Sequence, residues 1–281
     1  MSNGIPKLFD RRILALRRAR ALRLGGDRFL VREALEGLSE RLSAVNRRFS
    51  DALAIEMPFE FLGEEQDPAA HWDLATLDAN EALPLENGRF DLAISLLAFH
   101  AVNDLPGVLV QIREKLAPDG LFLAALFGGD TLFELRDSFA VAEAETTGGI
   151  SPRVAPFADV RDLGGLLQRA GFALPVADVE RTTVLYRSFA DLVRDLRLHG
   201  ETNALIERSR KPLSRETLAA MLSHYQSHHA EADGRLRATF DIVYLTGWAP
   251  HQSQQKPLRP GSAKARLADA LGTSEHKVRR D

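Results

Sequence analysis

Three short strings hold the side chains best suited to chemistry: Asp78-Ala79, Phe99-His100 and Gly128-Gly129-Asp130. A carboxylate such as Asp78 or Asp130 can accept hydrogen bonds from a ligand's amino or hydroxyl groups. The imidazole of His100 can exchange a proton near neutral pH. Two glycines after an apolar run let the backbone turn tightly or approach a ligand closely. Each string also has a plainer reading. Asp78 and Asn80 cap a loop, His100 is a satisfied half-buried histidine, the glycines simply turn the chain, and Asp130 caps the next helix. His224, His228 and His229 are a fourth group. His224 and His228, four apart, share a helix face, which is a metal-ligand spacing. No Glu lies between them in the H-E-x-x-H manner, so a solvated helix end is favoured and no metal is expected. No Ser-His-Asp set, phosphate loop or pair of catalytic carboxylates stands out.

The three strings fall at the ends of predicted elements. Residues 90–97 (FDLAISLL) are a short apolar run after the turn signal Asn87-Gly88, as suits a strand covered on both faces. Asn103 is placed to cap a helix in which Leu109, Ile112 and Leu116 share one side. Pro118-Asp119-Gly120 ends that helix, and residues 120–127 (GLFLAALF) form a second buried strand. Strand, helix and strand of these lengths make a right-handed βαβ crossover, and a ligand of such a sheet binds at the carboxyl ends of its strands.

Around this unit the pattern predicts helices over 9–24 and 27–46 and a strand over 52–57. Further helices are expected at 131–146, ended by Gly148-Gly149, and at 161–170, 188–198 and 214–229. Strands are expected at 177–186 and 236–248. A polar tail follows, dense in donors from His251 to Lys256, with a helix at 262–271. It reads either as a solvated loop or as a segment that closes over a pocket or meets a partner. The expected organisation is an N-terminal helical segment (1–49), a domain at 50–250 with helical insertions near 130–165 and 188–231, and the tail (251–281). The arginine-rich helix 9–24 reads first as a solvated helix packed by its leucines. The alternatives are a basic arm for an acidic partner, a ligand carboxylate or a peripheral membrane contact, and a transit peptide.

The chain has 281 residues, of which 45% are hydrophobic and 27% charged, an ordinary globular balance. A net charge of -3 gives no signature of nucleic-acid binding. With no cysteine, disulfides, cysteine–zinc sites, iron–sulfur ligation and thiol catalysis are excluded. No apolar run approaches the roughly 20 residues that span a bilayer, and no secretory segment is read at the start, so a cytoplasmic protein is expected.

The words Asp78-Ala79, Leu83-Pro84, Phe90-Asp91, His100, Val102-Asn103-Asp104 and Pro118-Asp119-Gly120 together resemble the middle of class I S-adenosylmethionine-dependent methyltransferases. Residues 126–136 (LFGGDTLFELR), 151–172 (SPRVAPFADVRDLGGLLQRAGF) and 247–264 (GWAPHQSQQKPLRPGSAK) are similar to bacterial counterparts of mitochondrial complex I assembly factor 5. That family's mitochondrial member is regarded as an arginine hydroxylase acting on a complex I subunit. A more distant likeness is to the malonyl-carrier-protein methyltransferase of biotin synthesis.

The resemblance implies an α/β fold: a Rossmann-like methyltransferase sheet with N-terminal helices and helical lid insertions. It implies S-adenosylmethionine as cofactor, held near Glu56, Asp78, Ala79 and Leu97, with Asp78 accepting from the adenine amino group. His100 and Asp130 would lie where donor and acceptor meet. One word departs from the family. Its first strand ends in an acid and a D-x-G-x-G-x-G turn, whereas here Glu56 is followed by Pro58, Phe59 and Phe61. Residues 63–77 are also too few for the helix and two strands that normally follow, and Glu64 and Glu65 are the nearest substitutes for the ribose-binding acid. Three readings therefore stand: an enzyme modifying a protein such as a respiratory complex I subunit, a catalytically degenerate binding or assembly factor, and a methyltransferase for a small-molecule or acyl-carrier substrate.

Overall fold

Residues 121–127 alternate between two apolar surfaces. Leu121, Leu123, Ala125 and Phe127 belong to one core and Phe122, Ala124 and Leu126 to the other. A strand apolar on both sides must be covered on both. The computed structural model, which describes residues 7–57 and 69–255, places this run inside a six-stranded sheet. Its strands are β1 (Phe49–Ile55), β2 (Ala69–Ala75), β3 (Phe90–Leu96), β4 (Leu116–Gly128), β5 (Ala173–Tyr186) and β6 (Leu236–Trp248), in the order β2-β1-β3-β4-β6-β5. The first four are parallel, and β6 is antiparallel between β4 and β5.

Seven helices are described: α1 (Arg11–Leu24), α2 (Phe29–Ser43), α3 (Leu105–Lys115), α4 (Phe133–Thr147), α5 (Val160–Arg169), α6 (Phe189–Leu198) and α7 (Arg215–His229). Val108, Leu109 and Ile112 of α3 and Leu163 and Leu167 of α5 cover one side of the sheet. Leu38 of α2, Leu135 of α4, Leu192 of α6 and Met221 of α7 cover the other. Each such buried aliphatic side chain contributes about 1.5–3 kcal/mol through removal from water. The result is the three-layer α/β architecture expected from the sequence.

Local differences from the sequence pattern have identifiable causes. Residues 63–77 do hold a strand, since β2 pairs in parallel with β1 from Phe49↔Ala69 to Ile55↔Ala75 at the sheet edge. The first strand begins three residues earlier than expected, at Phe49, because Ser50 and Asp51 amides are held by the Asp91 carboxylate. Leu116 is the first residue of β4 rather than part of the α3 face, and pairs with Phe90 before a register shift. The cap of α3 is Asp104, whose carboxylate accepts from the Gly107 amide, not Asn103. Leu132, at φ 54, stands before α4 instead of inside it.

Gly128 and Gly129 serve the meeting of β4 with β6. A Cβ on Gly128 would come within 2.5 Å of Val243, and one on Gly129 within 2.7 Å of the Asp241 carboxylate. The segment from Pro58 through Glu65, with Phe59, Phe61 and Gly63, lies outside the described residues, as do Lys256 and the tail helix expected at 262–271.

The chain divides into two units, Met1–Pro250 and His251–Asp281, and every element named above belongs to the first. In the second, the His251 ring pairs with the Ser253 hydroxyl at 2.7 Å. No helix among the described residues is long and apolar enough to cross a membrane.

Candidate functional site

Two neighbouring parallel strands, β1 and β3, end in the same unusual way. Glu56 follows β1 at φ 55 and Leu97 follows β3 at φ 47. Left-handed backbone costs a non-glycine residue about 1–2 kcal/mol, and such positions concentrate at binding sites. Here surrounding bonds hold them. The Glu56 amide donates to the Ala75 carbonyl at 2.9 Å and the Leu97 amide to the Ala125 carbonyl at 2.7 Å. The turn aims the Glu56 carboxylate back across the strand ends, where it meets α1.

That carboxylate is the centre of a charged cluster. Its Oε1 accepts from Arg11 Nη2 at 2.6 Å and from the Leu77 amide at 3.0 Å, and its Oε2 from Arg18 Nη1 at 3.4 Å. Arg18 also donates to the Leu97 carbonyl at 3.3 Å, so one guanidinium joins the two strand ends. A small cavity of about 80 Å³ opens beside them, walled by Arg18, Glu56, Leu96, Leu97, His199 and Glu201.

The far wall is a histidine–glutamate arrangement. His100 sits in a short 3-10 turn after β3, with its Nε2 2.8 Å from Glu201 Oε2 and its ring against Phe127 and Phe157. Its side chain is 4% exposed, and its Nδ1 is buried with no hydrogen-bond partner among the described residues. Burial alone would raise the Glu201 pKa, but the charge and hydrogen bond of His100, with Arg18 and His199 behind, hold it below the usual value. His199 follows α6, and its Nδ1 and Nε2 meet the Asp195 carbonyl at 2.8 Å and the Leu30 amide at 3.3 Å. Burial pushes its pKa down, as fits a neutral ring that accepts at one nitrogen and donates at the other.

A second buried acid fixes α1 in place. Glu81, at φ 61 and 5% exposed, accepts from the amide and side chain of Asn103 and from the Asp104 amide at 2.7–2.9 Å. Asn103 Oδ1 in turn accepts from the Leu8 and Phe9 amides at 2.7 and 2.8 Å. Phe9 and Leu14 pack with Ala101 and Leu205 in a small apolar cluster. The arginine-rich helix therefore finds its acidic partner inside the same chain.

The structure thus brings Glu56, Leu97 and His100 together around one set of strand ends. Asp78 and Ala79 are exposed, and Asp78 Oδ1 is engaged by the Asn80 and Ala82 amides of its own turn at 2.7 and 2.9 Å. Asp130 faces elsewhere. It does not cap α4. Its carboxylate, 64% exposed, pairs with Arg181 at 2.7 Å, and Arg181 also binds the buried Asp241. Burial tends to raise the Asp241 pKa, but Arg181 and the Asp130 amide hold it low.

With this geometry, a match to known sequences becomes informative. Residues 34–175, half of the chain, match the family described as methyltransferase domain. The chain belongs to the methyltransferase-domain family. It is 46% identical over 191 residues to a Dictyostelium discoideum protein named arginine-hydroxylase NDUFAF5, mitochondrial, covering 68% of this chain and 44% of that one. It therefore spans less than half the length of that relative. It is 32% identical over 231 residues to the malonyl-[acyl-carrier protein] O-methyltransferase of Xylella fastidiosa (strain M23), covering 80% of this chain and 76% of that one. Among solved structures, the YcgJ protein from Bacillus subtilis aligns with a TM-score of 0.47 and 10% identity over 77% of this chain and 99% of that one.

In this methyltransferase-domain chain, sequence reasoning missed Arg11, Arg18, Glu81, His199 and Glu201 as members of the site. The arginines were visible as a group, but no spacing selects the two that face Glu56. Glu81 lies in a polar loop, and its partners are 22 and 23 positions away. His199 and Gly200 read as a helix stop, and Gly200 is one, at φ 77. A Cβ there would also lie 3.2 Å from the Arg18 Cα, so glycine is what lets α1 pass the end of α6.

Proposed function

We propose that the chain is an S-adenosylmethionine-dependent methyltransferase-like protein of the complex I assembly factor type, which modifies or binds a protein, namely a subunit of a respiratory NADH dehydrogenase. The observation that carries this reading is the paired left-handed turn at Glu56 and Leu97, with a carboxylate and two guanidiniums gathered at the ends of adjacent parallel strands. Ligands of open α/β sheets bind there. Family membership and the names of the relatives support the same reading.

The donor set suits the amino-acid end of S-adenosylmethionine. Glu56 is a partner for an ammonium group, and Arg11 and Arg18 are partners for a carboxylate. The volume does not suit the whole molecule. The cavity of about 80 Å³ falls below the ~300–1,000 Å³ usual for ligand clefts, so binding of the whole molecule would need the site to widen. When bound, the cofactor would supply an electrophilic methyl group. The chain's part would be to align the acceptor and exclude water, and α1 with its arginines is placed to do the second.

The present occupancy of Glu56 by Arg11 and Arg18 favours a second reading, in which the site is filled by the chain itself and the protein acts only as a binding or assembly factor. An acyl-carrier substrate is a third, supported by the Xylella relative being matched over more of its own length. Calorimetric titration with S-adenosylmethionine and S-adenosylhomocysteine separates the first two. Saturable micromolar binding is expected of the enzyme, and no heat at millimolar ligand would assign the chain to the binding-factor class.

A further inference from the structure

The carboxylate that α7 lacks locally is supplied by α4. Asp137 lies in the second turn of α4, facing the last two turns of α7. His229 Nε2 is 2.8 Å and His224 Nε2 4.0 Å from the same oxygen, Asp137 Oδ2. All three candidate ligand atoms lie within 4.8 Å of one another. We propose that Asp137, His224 and His229 form a binding site for a divalent transition-metal ion that ties the two insertion helices together.

Features around the cluster prepare the rings for this role. His224 Nδ1 meets the Ser138 hydroxyl at 3.2 Å, which leaves Nε2 facing Asp137. A hydrogen bond at one imidazole nitrogen that orients the other toward a metal is the usual outer-shell device. The His224 ring is held from the other side by His228, stacked at 4.1 Å, with His228 Nδ1 on the His224 carbonyl at 3.1 Å. The His229 ring is set edge-on between Phe133 and Tyr225. Both ligand histidines are mostly buried, at 15% and 14% exposure, while Asp137 is half exposed and leaves an open side for water. The C-terminal end of a helix also favours positive charge.

Two imidazole nitrogens and one carboxylate oxygen suit Zn²⁺, Co²⁺, Ni²⁺ or Fe²⁺ rather than Mg²⁺ or Ca²⁺. Metal–ligand distances of about 2.0–2.2 Å set tetrahedral ligand atoms roughly 3.3 Å apart, so His224 Nε2 must draw nearer while the 2.8 Å contact of His229 with Asp137 opens slightly. Asp137 has the freedom to adjust. The chain has no cysteine, so no thiolate competes.

The test uses the full, untagged chain stripped with a chelator and titrated with Zn²⁺ alone, and with Co²⁺ for its visible spectrum. One equivalent is expected to bind with micromolar affinity, to give Co²⁺ bands typical of nitrogen and oxygen ligands, and to raise the thermal midpoint as binding to the folded state must. Asp137→Asn and His224→Ala should each weaken binding about tenfold or more, and Ser138→Ala by about tenfold. His251→Ala should leave it unchanged. Asp137→Asn is the deciding variant, because a half-exposed side chain can be changed without unpacking α4 from α7. Absence of saturable binding by the wild type, or binding by Asp137→Asn as tight as wild type, would overturn the site.

Discussion

Arg11 and Glu56 lie 45 positions apart in the chain and are joined by a 2.6 Å hydrogen bond at the ends of β1 and α1. With Arg18 on the other oxygen, the acid that closes the first strand is held by the N-terminal helix. Any ligand that uses this carboxylate must first displace or share those guanidiniums. The state of α1 and the state of the cavity are therefore coupled.

Glu56→Gln should lower stability by about 2 kcal/mol. The side chain is 12% exposed and its two arginines 20% and 23%, between the regimes of surface and fully buried pairs. Urea unfolding measures this, and a change under 0.5 kcal/mol would show that the pairs contribute little.

Asn103→Ala should loosen α1 selectively. It removes the acceptor of the Leu8 and Phe9 amides and a donor to the buried Glu81, a loss of about 1–3 kcal/mol. Hydrogen exchange should accelerate at the Leu8 and Phe9 amides and in α1, while β3 and β4 stay protected. Equal acceleration everywhere would mean that α1 is not a separable element.

Gly200→Ala should cost about 2 kcal/mol, from a φ of 77 and a Cβ pressed 3.2 Å from the Arg18 backbone. Gly148→Ala is the control for strain alone, since at φ 70 it has open space around it. The Gly200 variant should be the more destabilised of the two in a thermal melt, and the reverse order would remove the close-approach argument.

Acid should destabilise the protein in two stages. His199 has a lowered folded pKa through burial, so as pH falls through about 6.5 the unfolded chain gains its proton first and stability drops. Glu201 has a lowered folded pKa because His100, Arg18 and His199 outweigh burial. Its contribution is present above about pH 4.3 and is lost as pH falls through the folded value. Thermal midpoints from pH 8 down to about pH 2 should show both declines, the Glu201 one lying below about pH 4.3, and His199→Gln should flatten the upper one. An unchanged upper limb in that variant would contradict the assignment.

Much of the frame was legible because it rests on local periodicity. The double-sided alternation of β4 and the bounds of β6 follow from which residues repeat at two and which are apolar. Capping was legible only to within a residue, since Asn103 and Asp104 are both good caps and tertiary demand decides: Asn103 is taken by the Leu8 and Phe9 amides, which leaves Asp104 for α3. The site was legible only in part. His100 announces itself by lying at a strand end, whereas Glu56 and Leu97 are reached only through the family resemblance. Their partners come from α1 and from beyond α6, and no sequence spacing encodes such long-range pairing. Asp130 satisfied the same strand-end rule, and its carboxylate is paired with Arg181 of β5. The solvated ending expected for α7 fails for His224 and His229 because α4 covers them.

Glu56, at the turn after β1, is proposed to form part of the cofactor's binding site. The most direct measurement is calorimetric titration of S-adenosylhomocysteine into wild type and Glu56→Gln side by side. Saturable micromolar binding by the wild type, weakened about tenfold or more in the variant, is the predicted result. Equal affinity in the two proteins would contradict it.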